Sequence, residues 1–159
     1  MSVRSDALAP SPWIAPPQWE GTAFAVRRAF FERCQHTHGD GCVACPVCGY
    51  PTLHRRCCYD MCSLCQWECD GQDDPEADAV WGGPNARVSL SQARCNFEPP
   101  RSMWPPEEAV PGGPHRYEEL FSESAMARKN HLCALYEGLM ALTAQQEVAR
   151  QWERIRATR

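Results

Sequence analysis

Apolar side chains recur at helical spacing in three stretches of the chain, at residues 22–33, 90–97 and 117–157. Because a helix turns about once in 3.6 residues, apolar residues three or four positions apart share one face and predict an amphipathic helix. Thr22 and Ser89 stand at the starts of the first two stretches, where a hydroxyl can cap the first turn. The pattern predicts two short capped helices, the first with its arginines opposite its phenylalanines, and one long helical region.

The third stretch contains no proline and is long enough for two helices, with Gly138 as the weakest point for a continuous helix. Its apolar stripe has to be buried against something. We expect it to pack against the rest of the chain, and self-association or binding in a partner's groove is the alternative.

Proline separates these stretches. Residues 1–21 and 99–116 are rich in proline, which lacks an amide hydrogen and interrupts a regular helix. The expected organisation is an N-terminal arm at 1–21, a cysteine-containing domain at 22–98, a linker at 99–116 and a helical region at 117–159.

Two Cys-x-x-Cys knuckles lie in the central domain, formed by Cys45 with Cys48 and by Cys62 with Cys65. This spacing lets two sulfurs turn toward one point, and two knuckles about a dozen residues apart are typical of a four-thiolate zinc site. Gly49 can adopt the positive φ that such a turn requires. A hairpin between the knuckles would bring the pairs together.

The predicted fold is therefore a small α+β protein, a zinc-ribbon-like module with a short β-hairpin, packed with N-terminal and C-terminal α-helices. A redox dithiol is the alternative for either knuckle, although the βαβ pattern that usually accompanies one is absent. A closed four-sulfur site has no open position to activate water, so the metal is expected to support folding and not catalysis.

A second cluster precedes the first knuckle and contains Cys34, His36, His38 and Cys42. These are zinc-ligand types, and they predict a possible second metal site and a second zinc ion. Their spacing is tighter than in a standard zinc finger. A loop with incidental histidines and thiols is the alternative.

An acidic loop follows the second knuckle, and two tryptophans flank it. Gly71 and Pro75 interrupt regular structure there, and the acids do not follow a calcium-loop spacing. A surface that binds a basic partner protein is one interpretation, and a solvated loop with tryptophans in the core is the other. The candidate partner-binding residues are Trp67, Asp70, Asp73, Asp74, Asp78 and Trp81.

The motifs occur in an order that resembles the bacterial cysteine-rich CPCC family. They are CPVCGYPTL at 45–53, YDMCSLCQWE at 59–68, DGQDDP at 70–75, GGPN at 82–85 and SLSQARCNF at 89–97. Val47 replaces the family's third cysteine, and Cys69 interrupts its acidic run. The resemblance implies a small zinc-binding bacterial domain, and the proximity of family members to toxin genes implies immunity proteins.

The composition indicates the cellular compartment and the classes of ligand to expect. Eleven cysteines, an odd number that includes the adjacent Cys57 and Cys58, do not fit a secreted disulfide framework. The first 19 residues lack the pattern of a secretory signal, and no apolar run reaches transmembrane length. We expect a cytoplasmic protein without a membrane association. The net charge of −4 makes nucleic acid an unfavourable ligand.

No catalytic constellation is present in the sequence, and we expect a non-enzymatic, zinc-binding interaction protein, of the immunity or antitoxin type, that masks a partner such as a toxin or effector. One alternative is a zinc-ribbon accessory factor of nucleic-acid machinery that uses Arg55, Arg56 and the arginines of the C-terminal tail. Another is a thiol redox or metal-handling protein. It would use the surplus cysteines, Cys34, Cys42, Cys57, Cys58, Cys69 and Cys95. The role of Cys133 and the oligomeric state stay open.

Overall fold

A computed structural model describes residues 13–34, 42–105 and 113–159 of the protein. Within these ranges five α-helices are joined by turns and irregular segments. The helices are α1 (Ala23–Cys34), α2 (Leu90–Phe97), α3 (Gly113–Phe121), α4 (Glu123–Met140) and α5 (Gln145–Thr158). Single 3₁₀ turns occur at Pro17–Trp19, Glu76–Asp78 and Gly83–Asn85. None of the helices in the described ranges has the length and apolar character needed to cross a membrane.

The predicted β-hairpin is absent, and the prediction of an α+β, zinc-ribbon-like fold is wrong. The described ranges contain no strand or sheet, only two isolated antiparallel bridges, Val43 with Leu53 and Met61 with Glu68. The segment between the knuckles cannot extend into a ladder because Pro51 lacks a donor and Cys57 and Tyr59 adopt positive φ. Its backbone forms turns around the sulfurs instead.

Helices α1 and α2 form where the sequence predicted them, and both predicted caps are present. The Thr22 hydroxyl accepts from the Ala25 amide at 3.2 Å, and the Ser89 hydroxyl accepts from the Gln92 amide at 3.1 Å. The basic face of α1 is not solvated, however, since Arg27 and Arg28 are buried. Burial is tolerated because each guanidinium meets carbonyl or carboxylate oxygens.

The C-terminal region contains three helices. Helix α4 continues through Gly138 to Met140, so the break before α5 lies beyond Gly138. Gly138 serves helix packing instead. A Cβ placed there would lie 3.1 Å from Nε2 of Gln151 in α5. The same Nε2 donates to the carbonyl of Leu135 at 2.7 Å, which fixes the two helices together at this crossing.

One cluster of buried residues joins residues 42–105, which contain the two knuckles, to the C-terminal helices. The rings of Tyr50 and Tyr136 stack with centroids 5.2 Å apart, and Phe31 of α1 meets Tyr136 edge-on at 5.7 Å. The Tyr50 hydroxyl also donates to the Glu137 carboxylate at 2.8 Å. The apolar stripe of α4 and α5 is therefore buried within the chain.

Candidate metal centre

The structure brings together the four cysteines of the two knuckles, Cys45, Cys48, Cys62 and Cys65. Their Sγ atoms all lie within 4.8 Å of one another, none is in a disulfide, and all four side chains are fully buried. The Cys45–Cys65 and Cys48–Cys62 sulfur pairs are each 3.7 Å apart. A tetrahedral zinc ion with Zn–S bonds of about 2.3 Å needs sulfur–sulfur distances of about 3.8 Å, so the site fits such an ion.

The two knuckles repeat one backbone design. In the first, the Gly49 amide donates to the Cys45 carbonyl at 2.9 Å. In the second, the Gln66 amide donates to the Cys62 carbonyl at 3.0 Å. Gly49 and Gln66 both have positive φ, at 78° and 70°. The repeat is the local reason that two short sequences present their sulfurs to a common point.

Glycine is required in the first knuckle because helix α1 lies directly on it. A Cβ at Gly49 would lie 2.9 Å from the Arg28 amide nitrogen and 3.0 Å from the Phe24 carbonyl oxygen. Gln66 carries a side chain at the equivalent place, where its Oε1 accepts from the Arg116 guanidinium at 2.8 Å. The first knuckle is thus closed by a helix, and the second is held by a side chain of α3.

Polar hydrogens point at two of the sulfurs. The Val47 amide donates to the Cys45 sulfur at 3.4 Å, and the Cys65 amide donates to the Cys62 sulfur at 3.4 Å. The Thr52 hydroxyl oxygen lies 2.9 Å from the Cys62 sulfur. Such contacts stabilise negative sulfur, which is the form that binds metal.

The titration of these thiols reflects burial opposed by hydrogen bonding. Burial raises the pKa of Cys48 and of Cys65 well above the usual range of a thiol. Burial acts in the same direction at Cys62, but hydrogen bonds from the other thiols and from Thr52 outweigh it and lower that pKa. Because burial resists ionisation, four thiolates could coexist here only with a compensating cation, which a divalent metal ion would supply.

The only lysine of the chain, Lys129 in α4, is also buried. Its ammonium donates to the carbonyls of Leu120 and Arg101 at 3.0 and 3.2 Å. Burial lowers the pKa of Lys129 to about 8, against the opposing attraction of Cys65. Helix α4 thus carries a cationic group whose charge acts on the Cys65 end of the cysteine cluster.

The second predicted metal site falls mainly outside the described residues. His36 and His38 belong to that part of the chain, so the site stays a prediction. Cys34 is the last residue of α1, and Cys42 is buried and accepts from Nη1 of Arg159 at 3.3 Å. Within the described ranges the four knuckle cysteines are the one cluster of potential metal ligands.

The acidic loop is held by arginines of the protein itself. Asp73 receives both Nη atoms of Arg28, at 2.7 and 2.6 Å, and Asp74 receives both Nη atoms of Arg94, at 3.0 and 3.2 Å. Arg56 adds a contact to Asp73 at 2.8 Å and an ion pair with Glu32. These two aspartates and Arg56 therefore connect α1, α2 and the loop between the knuckles.

The other candidate partner-binding residues divide into buried and exposed ones. Trp67 is completely buried in the core, and Asp70 accepts from the Gln72 amide at 2.9 Å. Asp78 and Trp81 are exposed. Val80, which is exposed beside Trp81, was not predicted. Neither were the arginine partners of the aspartates, because Arg28 and Arg94 lie 45 and 20 positions away from them and such pairing leaves no local signal. Thr52 was visible only as part of the family motif.

The surplus cysteines are dispersed. Cys57, Cys58 and Cys95 are exposed, whereas Cys69 and Cys133 are buried. The Cys57 amide donates to the Cys69 sulfur at 3.2 Å, and burial raises the pKa of Cys133 to about 11. A buried thiol that stays protonated is inert, so Cys133 is a core residue of α4.

Comparison with known proteins agrees with the motifs. Residues 43–100 match the family model described as cysteine-rich CPCC. The curated proteins and the solved structures contain no match to the chain. The resemblance expected from the sequence is confirmed, and residues 43–100 of this chain are similar to the cysteine-rich CPCC family.

Proposed function

We propose that this protein is a non-enzymatic interaction module built around one structural zinc ion. The observation that carries the proposal is a loop that exposes two large apolar side chains beside the metal-bearing core. Val80 is 56% exposed and Trp81 is 50% exposed. A fixed loop that presents tryptophan to solvent is a common form of protein-binding surface. We call residues 78–84 the Trp81 loop.

The base of the Trp81 loop is held by side chains inside the protein. Gln72 Nε2 donates to the carbonyls of Glu76 and Ala79 at 2.9 and 2.6 Å. On the other side, Asn85 is buried and its amide group pairs with the backbone of Glu68 at 3.0 and 2.8 Å. A loop fixed in this way loses little conformational entropy when it binds, which favours affinity.

The charge around the loop indicates the class of partner. Asp73 and Asp74 are occupied by arginines, which leaves Glu76 and Asp78 as exposed acids in the same stretch of chain as Trp81. The complementary surface is an apolar pocket with basic residues at its rim. An immunity or antitoxin-like protein that masks a basic toxin or effector is the specific form of this proposal.

The zinc ion in this proposal organises the fold. The four sulfurs leave no ligand position for substrate or water, and their burial excludes both. Native mass spectrometry of protein isolated without added metal tests this directly. One zinc ion per chain supports the centre, and a metal-free chain with a disulfide within a knuckle contradicts it.

The binding surface is tested with Trp81→Ala and with Tyr117→Ala as a matched control, because Tyr117 is an exposed aromatic residue on α3. The protein is isolated with its partner from native cells, and the identified partner is then purified and titrated by calorimetry. Trp81→Ala is expected to weaken binding by more than about 30-fold, as at an interface hot spot. Equal affinities for both variants and the wild type would contradict the Trp81 loop as the contact.

A further inference from the structure

The hydroxyl of Thr52 is directed at one metal ligand. Its Oγ1 lies 2.9 Å from the Cys62 sulfur, and both residues are buried. The same oxygen lies 3.4 Å from the Tyr50 carbonyl, which is a poorer contact. Thr52 is held in place by its own backbone, since its amide donates to the Tyr50 carbonyl at 2.9 Å.

The direction of this hydrogen bond follows from the chemistry of the centre. A cysteine that ligates a metal is a thiolate and has no proton to donate. The hydroxyl must therefore donate, and its acceptor carries negative charge, which makes the bond a strong one. In a site closed to water, no solvent molecule can replace the donor if it is removed.

We propose that Thr52 is a positioning residue of the metal centre, which holds the Cys62 sulfur in its ligating orientation and disperses its charge. The proposal rests on the proposed zinc centre. Cys62 then receives two donors, the Thr52 hydroxyl and the Cys65 amide. Cys45 receives the Val47 amide. The Cys62 sulfur accordingly receives more hydrogen-bond donors than the Cys45 sulfur. We expect these contacts at Cys62 to limit the rate of metal release.

Side-chain shape alone does not account for threonine at this position. Valine has nearly the same volume and would fill the same buried space, but its methyl group would place an apolar atom against a thiolate. Serine would keep the donor and lose one methyl group. The pair of variants therefore separates the hydrogen bond from packing.

The test compares zinc-loaded wild type, Thr52→Val and Thr52→Ser, with Thr143→Val as a control at an exposed threonine. Zinc release to an excess of a chromogenic chelator is followed by absorbance. Thr52→Val is expected to release zinc about tenfold faster or more, which is the usual effect of removing a ligand's outer hydrogen bond. Thr52→Ser and Thr143→Val should remain close to the wild type.

A second readout responds to the hydrogen bond and not to stability. In cobalt-substituted protein, the sulfur-to-cobalt charge-transfer band should move to longer wavelength in Thr52→Val, because the Cys62 thiolate is no longer stabilised. Brief alkylation with iodoacetamide, followed by peptide mapping, should show increased labelling at Cys62 relative to Cys48. The serine variant should reproduce the wild-type band and labelling.

The outcomes distinguish this inference from the metal centre itself. A wild-type chain that holds neither zinc nor cobalt overturns the centre. A metal-loaded Thr52→Val protein with wild-type release, band position and labelling overturns the role of Thr52 and leaves the centre standing. If Thr52→Val does not fold, Thr52→Ser and Thr52→Ala form a second pair that differs by the hydroxyl alone, and equal release rates for the two overturn the inference.

Discussion

The knuckle segment, residues 42–105, and the helical region, residues 113–159, are stabilised by different kinds of contact. In the helical region, apolar side chains recur on the facing sides of α4 and α5 and are buried together. These residues are Leu132, Tyr136, Leu139, Val148, Trp152 and Ile155. In the knuckle segment, the described chain has one α-helix, and its buried apolar residues are supplemented by four clustered sulfurs and a set of arginine–carboxylate pairs.

This difference predicts that different mutations or treatments will destabilise the two regions. Helices satisfy their own backbone groups and need only an apolar partner. Irregular backbone needs specific polar groups at specific points, so its stability is concentrated in a few strong connections. The helical region should lose stability in small steps, and the knuckle segment should lose it in large ones.

Metal removal should produce the largest difference in stability between the two regions. Chelation of zinc, or Cys48→Ala, is expected to abolish the tertiary structure around the knuckles, because the binding free energy of a structural zinc ion is folding free energy. The near-ultraviolet circular dichroism of the buried Trp67 should be lost. Cys95→Ser, which alters an exposed cysteine, should leave that signal unchanged. A retained signal after complete zinc removal would contradict the distinction.

Breaking one arginine–carboxylate pair should have the next largest effect. Asp74→Ala leaves Arg94 buried with only the more distant Asp73, at 3.8 Å, as a carboxylate partner. Removal of one member of a buried pair typically costs about 3–5 kcal/mol. Chemical denaturation of the zinc-loaded protein measures the loss. The control Glu76→Ala, at an exposed acid of the same loop, should change stability by less than about 0.5 kcal/mol.

A cavity in the helical region should cost less and spare the metal centre. Leu132→Ala removes a fully buried side chain of α4, and such changes typically cost about 2–5 kcal/mol, with the lower part of the range expected where helices can close the gap. The free energy of unfolding should fall while the rate of zinc release stays unchanged. Accelerated zinc release would show that the regions are more tightly coupled than their contacts indicate.

Acid should produce the smallest effect, and it should act on the knuckle segment. Burial tends to raise the pKa of Asp73, but the hydrogen bonds and charge of Arg28 outweigh burial and lower it. A carboxylate with a lowered pKa contributes stability above its unfolded pKa, roughly pH 4, and this contribution is lost as pH falls through the folded value. Helices α4 and α5 should be unaffected by this titration.

Denaturation of Asp73→Asn across the same acidic range provides the comparison. The variant should be less stable than the wild type at neutral pH, and the difference should shrink as acid protonates the wild-type carboxylate. A difference that stays constant down to the lowest accessible pH would contradict the assignment of this titration to Asp73.

The same contrast governs what sequence could reveal. Helices α1 and α2, their caps and the four-cysteine cluster were predictable, because each depends on residues close together in sequence. The break between α4 and α5 was misplaced, since Gly138 permits a close helix crossing and does not end a helix. The β-hairpin was wrong because the chain between the knuckles is shaped by sulfur positions and positive-φ turns, which strand propensity does not describe. The internal partners of the acidic loop were not predictable, because Arg28 and Arg94 lie 45 and 20 positions away from Asp73 and Asp74.

The position of Arg28 affects which part of the chain can form an independent folding unit. The family match begins at residue 43, but the guanidinium that neutralises Asp73 comes from α1, before that boundary. Helix α1 also covers Gly49, which has no room for any side chain beneath it. A fragment trimmed to the matched segment would therefore contain all four clustered cysteines and still expose a carboxylate pair without a full set of counter-charges. The unit that can be transplanted between proteins is larger than the unit that sequence similarity outlines.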